Sequence, residues 1–228
     1  MILICDIGGG TSDIAIFHEG IIRHTAVIPF GGNVITNDIK EGCSILLRQA
    51  EQLKIQFGSS LGDLAQEEKV VTIPGISGRD PKEISFRSLA FIIQSRMEEI
   101  IDAVMFEIEN SGYMEKLSAG MVITGGGALM RHLPQLIKFR TGMDVRVGYP
   151  NESLSGDKNQ EVNHPMFSTS VGLILKGYEF NKQQHQPKEI VIEKEEEIAV
   201  EPEKESRKKK SNILNVFNDF FNEKDSAM

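Results

Sequence analysis

The chain has 228 residues, a net charge of −8 and 40% apolar residues. That is enough for one or two domains with a buried core, and too acidic for nucleic acid to be the main partner. Cys5 and Cys43 form no CxxC pair and read as reduced, buried thiols; no apolar run approaches the ~18 residues of a membrane span, and Asp6 interrupts the short apolar start.

The first elements are an apolar run from Ile2 to Cys5, the glycines Gly8, Gly9 and Gly10, and an alternating run from Ile14 to Phe17. This pattern predicts a β-hairpin whose tip carries no side chains. Such a tip leaves backbone N–H groups free to surround phosphate oxygens, and the flanking Asp6 and Asp13 could hold Mg²⁺ directly or through water. An ordinary glycine-bulge hairpin is the plainer alternative. A turn at Glu19-Gly20 leads to a third strand, Ile22 to Ile28, ended by Pro29. Gly31, Gly32 and Asn33 then cap a helix over 34–48 with Ile35, Ile39, Ile45 and Leu46 inward. A second helix over 49–57 places Glu51 and Lys54 on one face, as a surface pair of ~0.2–0.5 kcal/mol at least.

Residues 68–85 alternate and are punctuated by Gly75, Gly78 and Pro81, which fits a two-stranded sheet. Ser85 is placed to cap a long helix over 86–111, with an apolar stripe from Leu89 through Ile92, Ile93, Met97, Ile100, Ile101 and Val104 to Ile108. Arg79, Lys82, Arg87 and Arg96 make this stretch the most basic part of the core; scattered solubilising charge explains them equally well, with Glu98, Glu99 and Asp102 alongside. A second triplet, Gly125, Gly126 and Gly127, follows the strand 121–124 and precedes a helix-compatible run through Leu129, Leu133, Leu136 and Ile137. Strand, glycine turn and helix N-terminus together favour an anion. The chain has neither GxGxxG nor GxxxxGK[ST], and two Gly-rich turns imply two sides of one nucleotide cleft.

From Asn181 the composition changes, with eight glutamates between 189 and 205. Residues 181–206 read as a solvated linker whose ends lie ~25–30 Å apart as a flexible coil. Lys208, Lys209 and Lys210 follow Arg207. On a helical wheel Ile213, Leu214, Val216, Phe217, Phe220 and Phe221 occupy an arc of about 160°. A basic cluster beside an aromatic apolar face suits an anionic bilayer surface; docking of the helix on its own domain is the alternative.

DIGGGTSD (6–13) and ITGGGALM (123–130) resemble the second phosphate motif and the adenosine motif of the actin/hexokinase/chaperone ATPase superfamily. Within it, HTAVIPFGGNVITNDI (24–39), AEQLK (50–54), GISGRDPKEIS (75–85) and DVRVGYP (144–150) resemble FtsA, the actin-like bacterial division family; FSTSVGLIL (167–175) resembles the closing strand-to-helix element of the same fold, and the likeness runs to about residue 180. It implies an α/β chain: the second lobe of the actin-like ATPase (ribonuclease H-like) fold with a small inserted tip subdomain. Residues 1–36 and 118–180 would be the nucleotide-binding subdomain, 37–117 the tip, 181–206 a disordered acidic linker, and 207–228 the basic cluster with an amphipathic membrane-targeting helix.

The resemblance also implies ATP with Mg²⁺ as cofactor. Its ligands would be Asp6, Gly8, Gly9, Gly10, Thr11, Ser12, Asp13, Gly32, Asn33, Gly125, Gly126, Gly127 and Met130, with Glu51 and Lys54 at ribose and adenine. The expected partners are the acidic C-terminal tail of the tubulin-like FtsZ at the tip (Arg79, Lys82, Arg87, Arg96), further copies in actin-like filaments, and the cytoplasmic face of the plasma membrane at the division site. In the family ATP acts mainly as a structural and polymer-switching ligand, so no catalytic residue is assigned. The first lobe with its own phosphate hairpin has no counterpart in the sequence, which implies a fragment, a truncated gene or a split gene, and weak nucleotide binding by this chain alone. A small-molecule kinase of the same fold and a pilus-assembly ATPase are the alternatives.

Overall fold

The computed structural model describes residues 1–75, 78, 80–150 and 161–184. The apolar N-terminal run forms β1 (Ile2–Ile7), and β2 (Ser12–His18) and β3 (Ile21–Ile28) complete an antiparallel meander. Two parallel strands, β6 (Met121–Thr124) and β7 (Val145–Val147), extend the sheet on the other side of β1, giving the order β3-β2-β1-β6-β7. Alternation along β1 sends Leu3, Cys5 and Ile7 to one face and Asp6 to the other.

Between β3 and β6 come α1 (Gly32–Cys43), α2 (Leu47–Phe57), the antiparallel pair β4 (Val70–Ile73) and β5 (Lys82–Ser85), and α3 (Phe86–Asn110). α4 (Leu133–Thr141) precedes β7, and α5 (Ser168–Gln184) follows it. Ile35 and Ile39 of α1, the α3 stripe from Leu89 to Ile108, and Leu133, Leu136 and Ile137 of α4 form one hydrophobic core with Leu3, Cys5, Ile14, Ile16 and Ile123 of the sheet. The Ser85 hydroxyl accepts the Ser88 N–H and caps α3 as the sequence predicts.

Three expectations are corrected. The helix predicted over 34–48 stops at Cys43, because Ser44 turns left-handed with φ 50 and its N–H reaches back to the Glu41 and Lys40 carbonyls. Ile45 is therefore buried in a connector, and Leu46 is 51% exposed rather than inward. The run after the second glycine triplet is not one helix: Gly126–Leu129 is a 3-10 turn, and α4 begins only at Leu133, with Pro in its first turn. Residues 167–175 contain no strand, since a 3-10 turn over Pro165–Phe167 passes directly into α5.

Candidate functional site

The hairpin tip is built by close backbone approach. Gly32 N–H donates to the Gly8 carbonyl at 2.9 Å and Asn33 N–H to the Gly9 carbonyl at 2.7 Å. The start of α1 is thus capped by hairpin carbonyls, and Gly31, at the N-cap position, makes no side-chain cap. A Cβ on Gly31 would lie 2.6 Å from the Gly8 oxygen and 2.8 Å from the Gly9 oxygen, so only glycine admits this contact. Gly125 docks the second triplet in the same way. Its φ is +82, and a Cβ there would meet Asp6 Oδ1 at 2.2 Å and the Ile7 oxygen at 2.6 Å.

These contacts enclose a cleft of about 480 Å³. Gly8 and Gly9 of the first triplet face it with Gly126 and Gly127 of the second, and Gly32, Asn33, Glu51, Lys54 and Met130 join them. Nine of the residues assigned from sequence are therefore brought together. Ile35, Ile55, Met97, Leu129 and Met166 give the cleft an apolar part, and Arg131 and His164 border it. None of these was singled out for the site from sequence. Ile55 follows Glu51 by one helical turn and carried a local signal; His164 and Met166 arrive from a distant turn and carried none.

The remaining candidates lie at the margin. Asp6 and Asp13 are direct cross-strand partners, so their carboxylates share one face of the hairpin. Asp6 Oδ2 accepts from Thr169 Oγ1 at 2.5 Å, and Asp13 Oδ2 from Thr11 Oγ1 at 2.8 Å. Gly10 is exposed, with nothing near the place of its missing Cβ. Ser12 is fully buried and its hydroxyl donates to the Phe30 carbonyl, so this side chain braces the hairpin from behind. Among the described residues no group of three or more His, Cys, Asp or Glu side chains converges as a metal cage. A pair of carboxylates does fit Mg²⁺, which keeps most of its waters.

Lys54 is fixed by three oxygens. Its Nζ donates to the Gly32 carbonyl at 2.9 Å and to Thr36 Oγ1 at 2.7 Å, and pairs with Glu51 Oε2 at 2.8 Å. Thr36, buried beneath, donates to Glu51 at 2.5 Å. Burial pushes the Glu51 carboxyl up, but hydrogen bonds from Lys54 and Thr36 and the Lys54 charge outweigh it and hold the group below its ordinary value. On the central strand β1, burial followed by the charges of Asp6 and Asp13 pushes the Cys5 thiol up to about 12.

The described tip candidates Lys82, Arg87 and Arg96 are each engaged within the chain. Lys82 Nζ donates to the Cys43 carbonyl at 3.0 Å, Arg87 pairs with Glu67 and stacks over Phe91, and Arg96 forks onto Asp38 while reaching Glu99. Arg79 lies outside the described residues, as do residues 185–206 of the linker and the membrane candidates Lys208, Lys209, Lys210, Ile213, Leu214, Val216, Phe217, Phe220 and Phe221; the first four linker residues, 181–184, are instead the last turn of α5. No helix among the described residues is long and apolar enough to cross a membrane.

A meander continued by parallel strands, with two glycine turns meeting at one cleft, defines an actin-like fold. The chain superposes on MreB 5 of Spiroplasma citri bound to AMPPNP with a TM-score of 0.63 at 23% identity, covering 81% of this chain and 55% of that one. The ADP-bound form of the same protein gives 0.62 at 25% identity, with the same coverage. Residues 3–172 match the family model of cell division protein FtsA, and the chain belongs to that family. It is 40% identical to the FtsA of Pseudomonas aeruginosa over 176 residues, covering 77% of this chain and 42% of the relative. It is 35% identical to that of Escherichia coli over 201 residues, covering 85% and 46%. The chain thus spans less than half the length of these relatives.

Proposed function

We propose that this chain is the nucleotide-binding second lobe and membrane tether of an FtsA-type division protein, which attaches FtsZ filaments to the cytoplasmic face of the plasma membrane. The observation that carries the reading is the single cleft in which Gly8 and Gly9 face Gly126 and Gly127, beside Glu51 and Lys54. The donor set fits a nucleotide. The tip N–H groups around Gly9, Gly10 and Thr11 would receive phosphate oxygens, Asp6 and Asp13 would hold Mg²⁺ through water, and Lys54 and Glu51 would meet the ribose and base. The apolar lining from Ile55 and Leu129 to Met166 would take the base. ATP serves here as a conformational and polymer-setting ligand, and no residue is assigned a catalytic role.

Arg96, with Lys82, Arg87 and Arg79, would receive the acidic FtsZ tail. Each described cation must then exchange an internal partner for a peptide carboxylate, which favours a modest affinity raised by filament avidity. The tail from Lys208 to Phe221 would bind the bilayer, each basic residue contributing about 1 kcal/mol near an anionic surface.

The test is sedimentation of the 228-residue chain with phosphatidylserine-containing liposomes. Binding is expected, with most of it lost when residues 211–228 are removed. Equal binding by the shortened chain would overturn the tether. A fluorescence titration with FtsZ-tail peptide tests the second arm, with Arg96→Glu expected to abolish the signal.

A further inference from the structure

Arg131 borders the nucleotide cleft and also a second cavity, of about 460 Å³. In a chain of net charge −8, no described residue lining this second cavity is acidic. Lys69, Arg131 and His132 line it instead, together with Phe57 and Phe86, whose ring centroids are 5.0 Å apart.

Its polar groups are held ready. His132 adopts the left-handed region, φ 62 and ψ 11, at the N-cap of α4, a conformation that costs a side-chain-bearing residue energy and suits glycine. What it gains is position: its Nδ1 lies 3.0 Å from Ser59 Oγ, itself only 5% exposed. Arg131 is pinned through its backbone, since Ser60 N–H donates to its carbonyl at 2.8 Å. One guanidinium N–H goes to the Gln56 carbonyl at 3.0 Å, which leaves other donors of the fork uncommitted. The Lys69 ammonium has no side-chain partner among the described residues. Three cationic or proton-carrying groups without a compensating carboxylate, against an aromatic wall, make an anion site with an apolar half.

We propose that this cavity binds a small organic anion, a phosphate or carboxylate carried on an apolar or aromatic body. Phenyl phosphate, phenylacetate, inorganic phosphate and phenol are the probes, each titrated into the ¹⁵N-labelled 228-residue chain. Phenyl phosphate or phenylacetate is expected to shift the amides of Ser59, Lys69 and His132, and the stronger of the two identifies the headgroup. Inorganic phosphate is expected to bind at least fivefold more weakly, and phenol to leave these amides unmoved.

His132→Gly suits the left-handed backbone, so it is expected to fold at least as stably as the parent by thermal melt while binding at least fivefold more weakly. Lys69→Met, at an exposed position, is expected to lose a similar factor. No shifts at Ser59 and His132, shifts confined to Gly9, Asn33 and Gly126, or unchanged affinity in both variants would each overturn the proposal. Because none of these readouts requires nucleotide, the outcome is separate from that of the cleft.

Discussion

Gly31 shows what one missing methyl group does for this chain. Its Cα passes so close to the hairpin that a Cβ would sit 2.6 Å from the Gly8 oxygen, and the whole tip would have to move off α1. Gly31→Ala is therefore expected to cost about 1–3 kcal/mol in chemical denaturation, in the range of overpacking. The Lys54 cluster makes a second prediction at this scale. Lys54→Met removes a charged donor from Gly32, Thr36 and Glu51 together. In the proposed site Lys54 also meets the nucleotide, and one lost charge-assisted bond of about 1.5–3 kcal/mol should lower fluorescent-nucleotide affinity roughly tenfold or more. The pH behaviour follows from Glu51. Its folded-state pKa is depressed, so its stabilisation is present above the ordinary glutamate value near ~4.3 and fades as pH falls through the lower folded value. Melts of the parent and Glu51→Gln should converge in that acid window and differ at pH 7.

At the scale of elements, α3 carries the core. Leu89, Ile93, Ile100 and Ile108 are all but fully buried along its length, and Ile93 also touches the space beside Gly58, next to the cleft. Ile93→Ala should cost ~2–5 kcal/mol, the range for a buried large-to-small change, with partial loss of nucleotide binding as the α2 end relaxes. Loss of stability with nucleotide affinity unchanged would show that α3 does not support the cleft in this way. The two cysteines report on the packing of β1 and α1. Cys5 is buried with a thiol held near 12, whereas Cys43, at the end of α1, is half-buried. Thiol alkylation at pH 8 followed by peptide mapping should mark Cys43 well before Cys5.

At the scale of the molecule, the described surface is unevenly apolar. On α5, Leu173, Ile174 and Tyr178 are each about 70% exposed, at 69, 72 and 73%, and fall within an arc of about 140°. On the edge strand β3, Ile21, Ile22 and Val27 are more than half exposed. Surfaces of this kind drive association. Gel filtration of the chain should show concentration-dependent elution, and Leu173→Lys with Ile174→Lys should move it towards the monomer position. The elution of the double variant at the same position as the parent would mean that α5 plays no part.

The sequence by itself determined the elements with a strong period and the two glycine turns. The meander, the α3 stripe with its Ser85 cap and the Glu51–Lys54 face were legible because hydrophobic spacing and local capping chemistry act over a few residues. Helix ends were not legible at Ser44 or after Gly127, where a left-handed residue or a 3-10 turn depends on what the chain must next reach. Only the tertiary structure decided that Ser12 turns away from the cleft to Phe30, that Thr36 joins Glu51 to Lys54, and that His164 and Met166 complete the wall. The reason is sequence separation. Those contacts join residues 15 to more than 150 positions apart, and no local preference specifies which distant surfaces the closed core will bring into contact.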